Sequence, residues 1–246
     1  MPPADIHAAS LRENTLGAQL LAGTLKCLFV GSVQTFDAPD GRPLRTGIRK
    51  KPTDRLRLEV DGFPGDASAE RDHHTHDKAV HLFSEEYYAE VETRLGVPLP
   101  RPTFGENLST RGIVDKDVRV GDLLSVGNAL ICVTQPTERC RVIGRSLGLP
   151  RILKALHELE ICGFYAKVIS PGEVCVGDAI SVRQRAEHDW TIGRLHHFMF
   201  KQLTDDLLVA EVMALSALSD EWKARIQVMR GRAKRGEPLS SNLVEL

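Results

Sequence analysis

Val120-Gly121-Asp122-Leu123-Leu124-Ser125-Val126 returns later in the chain as Val176-Gly177-Asp178-Ala179-Ile180-Ser181-Val182. Each copy joins a Gly-Asp turn to an apolar strand. Glycine supplies a backbone conformation that other residues resist, and aspartate hydrogen-bonds its own turn. Both Gly-Asp pairs therefore read as structural. Two such units in one body predict a barrel or a pair of packed sheets.

The surrounding sequence supports a mainly β reading. Strands are expected over 23–36, where Leu25, Cys27, Phe29 and Val33 partly alternate, and over 79–83, 128–134 and 165–169. Leu56, Leu58 and Val60 alternate with Arg57 and Glu59, as on a half-buried strand. Residues 37–42 form an Asp-, Pro- and Gly-rich turn. Two helices are inserted. One runs from Glu85 to about Leu95, capped by Ser84, stopped by Gly96 and Pro98, and buried through Tyr88, Val91 and Leu95. The other lies within 146–160, with Pro150 near its first turn.

Beyond about residue 187 the texture becomes helical. Residues 191–201, 205–216 and 220–229 read as three helices, with Thr204 and Ser219 as caps. The expected organisation is an N-terminal extension (1–22), a β domain (23–187), a three-helix module (188–230) and a mobile tail (231–246). The module's apolar stripes, such as Leu195, Phe198, Met199 and Leu203, read as packing surface.

Composition narrows the class. The chain has 246 residues, 42% of them hydrophobic and 26% charged, which is the balance of an ordinary globular protein. A formal net charge of −1 argues against a dedicated nucleic-acid binder that relies on bulk positive charge. No apolar run is long enough to span a bilayer, and residues 1–14 lack the pattern of a signal peptide. Five cysteines with no CxxC spacing argue against a disulfide scaffold, so a reducing, cytoplasmic setting is expected.

Four groups could carry chemistry. In Thr134-Gln135-Pro136-Thr137-Glu138-Arg139-Cys140-Arg141 one cysteine follows an apolar strand with an arginine on each side. Nearby cations favour the thiolate, the form that attacks or binds metal. On spacing alone Cys140 reads equally as a ligand or nucleophile and as a loop cysteine with no task. Cys27, Cys132, Cys162 and Cys175 lie among apolar or small residues and read as buried thiols. Arg45-Thr46-Gly47-Ile48-Arg49-Lys50-Lys51-Pro52 places four cations and a hydroxyl in eight residues, suited to phosphate or to a solvated loop. Asp72-His73-His74-Thr75-His76-Asp77-Lys78, with His81 beyond, has metal-ligand residue types without metallohydrolase spacing. Proton handling is an equal reading. Phe104-Gly105-Glu106-Asn107-Leu108 is a turn that could orient a polar ligand or bond only to itself.

Taken in order, these groups, with Gly65-Asp66 and the two Val-Gly-Asp units, resemble the MOSC domain, named for the C-terminal part of molybdenum-cofactor sulfurase, in its YiiM-like branch. The resemblance spans about residues 23 to 185. The three following helices are similar to the module that follows the domain in that branch. Thr134, Thr137 and Arg139 stand where the family motif Ser-Gln-Pro-Arg-x-Pro-Cys has Ser, Arg and Pro. His73 or His74 takes the place of the histidine in the family's His-Gly-Gly-Pro-Asp.

The resemblance implies a MOSC-type β-barrel-like domain with inserted helices, plus the small C-terminal three-helix module. It implies molybdenum cofactor (molybdopterin), with Cys140 as the protein ligand to molybdenum, a soft thiolate suited to such a centre. Arg45, Thr46 and Lys50 would hold the pterin's phosphate, and Asn107, Gln135, Arg139 and Arg141 complete the implied cofactor contacts. The implied reaction is reduction of N-hydroxylated compounds such as hydroxylaminopurines, by oxygen abstraction at molybdenum. His74 or His76 would deliver the proton, and an external electron-donor protein would restore the metal. Two other readings stand beside it: a cofactor or persulfide carrier using Cys140 without redox turnover, and a zinc-dependent hydrolase built on the histidine run. Homodimerisation is the default expectation for a soluble enzyme.

Overall fold

Twelve strands and six α-helices occupy the computed structural model, which describes residues 21–69, 75–138, 140–237 and 239. In chain order they are β1 (Ala22–Val30), β2 (Gln34–Asp37), β3 (Pro43–Thr46), β4 (Lys51–Thr53), β5 (Arg55–Leu58), β6 (Val80–Ser84), α1 (Glu85–Leu95), β7 (Leu108–Arg111), β8 (Leu123–Val126) and β9 (Ala129–Pro136). Then follow α2 (Arg141–Leu147), α3 (Ile152–Glu158), β10 (Phe164–Ser170), β11 (Gly172–Cys175), β12 (Ala179–Gln184), α4 (Ile192–Lys201), α5 (Asp206–Met213) and α6 (Asp220–Lys234).

The main sheet runs β12-β8-β9-β10-β6-β7-β1-β4, and β1 pairs again with β12. That second pairing, Ala22 opposite Ser181 and Thr24 opposite Ala179, closes seven strands into a barrel. The strand β4 hangs on β1 outside the ring. Closure removes the open edges that a sheet of this size would otherwise expose. Every pairing is antiparallel except β6 with β7, and the parallel pair is joined through α1, the crossover that parallel strands require.

The two Gly-Asp units sit at matching places. Gly121 and Gly177 take φ of 88° and 91°, the left-handed region that favours glycine. Asp122 is fully buried and accepts from the backbone N–H of Arg119 and Ala186. Asp178 accepts from the N–H of Cys175. The strands they introduce, β8 and β12, pair with each other. Of the two architectures the repeat allows, the chain forms the barrel.

Several local expectations shift. The strand expected over 23–36 ends at Val30, because Gly31 turns the chain to donate its N–H to Asp66, and β2 leaves to pair with β3. Val60 lies outside β5 and is 47% exposed, since Glu59 and Gly62 close a tight bridge there. The segment 146–160 holds parts of two helices, separated by Gly148 at φ 68° and by Pro150. Ser84 occupies the N-cap position of α1, but its hydroxyl bonds the Glu86 carboxylate. Asp205, not Thr204, caps α5, accepting from Leu207 and Leu208. Ser219 caps α6 as expected, and α6 runs on to Lys234. Residues 1–20, 240–246 and 238 lie outside the described residues.

Two hydrophobic clusters fill the molecule. The larger contains barrel residues such as Leu25, Leu82, Val133 and Ala166 together with Trp190, Leu195, Phe198, Trp222 and Ile226 of the helical segment. The smaller, built on Phe83, Tyr88, Val91, Ile143 and Leu156, packs α1, α2 and α3 over one side of the barrel. In sequence, the cysteine segment lies between Val133 of the first cluster and Ile143 of the second.

Candidate functional site

Cys140 is half-buried in the N-cap position of α2, with φ −116° and ψ 164°. The strand β9 ends four residues before it, and that strand end is held by hydrogen bonds. Thr137 is buried, its N–H donates to Gly163 O at 3.1 Å, and its hydroxyl bonds the Cys162 carbonyl. Thr134 is likewise consumed, donating to the carbonyls of Asp77 and Tyr165. The replaced motif positions Thr134 and Thr137 thus serve the backbone, and the first of them anchors the short 3-10 helix His76–Lys78.

Cys140 opens into a cleft with a water-accessible volume of about 120 Å³. One wall is the basic loop: Arg45, Thr46, Gly47, Ile48 and Lys50, backed by Asp66, Ala67 and Ser68. A second wall is Lys78, His81 and Tyr165, with Asn107 and Gly105 at the floor. Glu138, Val142 and Ile143 flank the cysteine. The basic loop and the 66–68 segment touch through backbone: a Cβ on Gly47 would stand 1.9 Å from the Ala67 carbonyl oxygen.

Charge in the cleft is arranged in pairs. Lys50 donates to Asp66 at 2.7 Å, and both side chains are 8% exposed. Burial pulls the Lys50 ammonium below its ordinary pKa, and Asp66 opposes that shift. Asp66 also accepts from the Asn107 amide at 2.9 Å and from the Gly31 N–H at 2.9 Å. Asn107 is a brace: its amide also donates to Phe29 O, and its side-chain oxygen accepts from the His81 N–H. Two amide donors are the full complement of an asparagine, so one lone pair of its oxygen is left. Arg45 is exposed on the rim and makes no ion pair among the described residues.

Lys78 is buried, its side chain 4% exposed, and it donates to Glu221 of α6 at 2.6 Å. Its ammonium lies 6.0 Å over the Tyr165 ring. The His81 ring packs on the same tyrosine, 5.1 Å between centroids. Glu138 pairs with Arg225 of α6 at 2.5 Å. Burial pushes the Glu138 carboxyl up, Arg225 opposes this, and Glu221 adds to it. Below the cleft, Glu106 is fully buried and accepts from the Phe104 N–H and from the Tyr88 hydroxyl, whose pKa burial drives far upward, so it stays a donor.

Of the residues singled out from sequence, Cys140, Arg45, Thr46, Lys50 and Asn107 meet in this cleft. Gln135 does not line it; its buried side chain bonds the Ser219 hydroxyl instead. Arg141 is exposed on the first turn of α2, outside the lining. His76 is exposed and also outside the lining, whereas His81 lies within it. His74 and Arg139 lie outside the described residues. Lys78, Glu138, Asp66 and Tyr165 were not chosen from sequence. Lys78 and Asp66 stood inside quoted motifs, and a lysine between a polar run and a mostly apolar strand was the available signal.

The fold is thus a closed β-barrel with a cleft lined by a cysteine, cations and a hydroxyl. Residues 69–181 match the MOSC domain family. YflK of Bacillus subtilis is 29% identical over 210 residues, spanning 83% of this chain and 93% of YflK. YiiM of Escherichia coli is 28% identical over 208 residues, 82% of this chain and 91% of YiiM. A protein of Gibberella moniliformis named a reductase is 30% identical over 138 residues, covering 53% of this chain but 24% of its own length. The crystal structure of YiiM from Geobacillus stearothermophilus superposes with a TM-score of 0.71 at 25% identity, over 84% of this chain and 98% of that one. The Escherichia coli YiiM structure gives 0.66 at 22% identity, over 88% and 94%, a likeness of fold. The chain carries a MOSC domain over residues 69–181 and is YiiM-like over most of its length.

Proposed function

We propose that the cleft binds molybdenum cofactor with Cys140 as the protein ligand, and that the protein reduces N-hydroxylated compounds there, taking electrons from an external donor protein. The observation that carries this reading is that Cys140, Arg45, Thr46 and Lys78 share one cleft. The donor set fits the group. A thiol suits a sulfur-ligated metal, while a guanidinium and a hydroxyl suit a phosphate. The MOSC domain, and a partial relative named a reductase, support the same reading.

When bound, the cofactor would supply a two-electron redox centre able to take oxygen. The overall change is R–NHOH plus two electrons and two protons to R–NH2 and water. The chain's own contribution is positional. Arg45 and the Thr46 hydroxyl would hold the phosphate, and the Lys50–Asp66 pair would keep their loop in place. Thr134 and Thr137 fix the strand end that presents Cys140. Lys78 and His81 are buried side chains of the lining that would be placed to carry a proton, and His76 lies outside it. Among the described residues no helix is long and apolar enough to cross a membrane.

The test is elemental. Protein made under cofactor-replete conditions is expected to carry molybdenum near one per chain and to convert a hydroxylaminopurine to the aminopurine with a chemical reductant. A folded Cys140→Ala protein should lose both. Retention of both by that variant rejects Cys140 as the ligand. An extra sulfur on Cys140 by mass spectrometry, with no turnover, would favour the carrier reading.

A further inference from the structure

We propose that α6 is a working wall of the cleft, with Glu221 and Arg225 as positioning residues for Lys78 and Glu138. The inference rests on the proposed use of the cleft and adds a second body to it. Glu221 and Arg225 are four residues apart, so they share one face of α6. Glu221 holds Lys78 at 2.6 Å, and Arg225 holds Glu138 at 2.5 Å. Both Lys78 and Glu138 line the cleft, on different segments of the barrel. One turn earlier, the Ser219 hydroxyl bonds Gln135, three residues before Glu138 on the strand that leads to Cys140. Three contacts from one helix end thus fix both approaches to the site.

The physical need is clear for Lys78. An ammonium whose side chain is 4% exposed is strongly disfavoured without an anionic partner. Glu221 itself is 45% exposed, so it is the lysine, not the glutamate, that depends on the pair. Arg225 engages one carboxylate oxygen, which leaves lone pairs on Glu138 beside the Lys78 ammonium in the lining. The arrangement presents a positive and a negative group side by side, with their outer partners supplied by α6. A neutral ligand edge that both donates and accepts, as an N–OH group does, matches such a pair.

The experiment compares wild type with Glu221→Gln, Lys78→Gln, their double variant, Arg225→Gln and the control Arg230→Gln. Arg230 pairs with Asp206 elsewhere on the same helix. The first readout needs no cofactor: acylation of Lys78 by an N-hydroxysuccinimide ester, followed by peptide mass spectrometry, with exposed Lys154 as reference. Lys78 should react slowly in wild type and several-fold faster in Glu221→Gln, because the ion pair that holds its buried ammonium in place is lost. It should be unchanged in Arg230→Gln. The second readout is molybdenum per chain with kcat and KM on a hydroxylaminopurine. Glu221→Gln and Arg225→Gln should each keep molybdenum and raise KM about tenfold, roughly the loss of one charge-assisted contact. The Lys78→Gln/Glu221→Gln double variant should match Lys78→Gln alone, the signature of a residue acting through another.

A Lys78 rate indifferent to Glu221→Gln overturns the proposal, as do unchanged kinetic constants in loaded Glu221→Gln. A purely structural role would give equal losses in Arg230→Gln, and that outcome also overturns it. If wild type carries no molybdenum and turns nothing over, the functional reading fails, while the acylation result still decides whether α6 holds Lys78.

Discussion

The Lys50–Asp66 pair shows what a single residue can and cannot disclose. Lys50 reads from sequence as one cation in a basic loop, free to meet a phosphate. Its partner, sixteen residues away on another loop, was invisible to any local pattern, and the pair is almost wholly buried. Removing one member of a buried pair strands the other, which costs about 3–5 kcal/mol, whereas removing both can be nearly neutral. Lys50→Met is therefore expected to lower stability by about that amount, and Lys50→Met/Asp66→Asn to recover most of it. Urea unfolding midpoints at constant slope would show this. A double-variant loss equal to the sum of the Lys50→Met and Asp66→Asn losses would mean that the two groups are not coupled. Cys140 was legible because its motif is local. His76 is exposed and His81 buried, a difference no local pattern discloses, because it depends on the strand that β10 lays beside β6.

At the level of elements, the repeat Gly-Asp turns were readable because both their conformation and their hydrogen bonds are local. The helix α2 was not, since it begins at the cysteine segment, lacks a side-chain N-cap bond and has only seven residues. Its place is set by Ile143 and its neighbours packing on Phe83 and Tyr88. Two substitutions probe elements that shape the cleft. Gly47→Ala puts a methyl against the Ala67 carbonyl, backbone on backbone, so the two lining loops must part. A loss of about 1–3 kcal/mol is expected, as for overpacking elsewhere, and calorimetric melting would register it. An unchanged Tm would show that the loops yield freely. Ser219→Ala removes both the cap of α6 and the hydroxyl on buried Gln135. About 1–2 kcal/mol is expected from the cap alone. A Ser219→Asp variant, which restores a cap acceptor but not a donor to Gln135, should recover only part.

For the whole molecule, the change from strand-rich to helix-rich sequence near residue 187 is plain, yet the change in texture does not divide the core. Trp190, Ile192, Leu195, Phe198, Met199, Trp222 and Ile226 are each at most 2% exposed and belong to the same cluster as the barrel's Leu25, Leu82, Val133 and Ala166. Sequence periodicity reports which face of a helix is apolar but not what covers it, so packing surface was recognised and its partner was not. Burying one large apolar side chain contributes about 1.5–3 kcal/mol. Seven of them lost together, about 10–20 kcal/mol, would match or exceed the net stability of an ordinary domain, about 5–15 kcal/mol. The barrel also bonds backbone beyond residue 187: the Val120 N–H donates to Trp190 O at 3.1 Å, and the Ile192 N–H donates to Val118 O at 2.8 Å. A chain ending after residue 187 is therefore expected not to hold the barrel: it should show no cooperative urea transition and be cut rapidly by a low dose of protease. The chain ending after 237 should unfold cooperatively and resist the same dose. A cooperative, protease-resistant 21–187 fragment would show that the barrel folds alone, and would make the helices a docked module, not the barrel's missing floor.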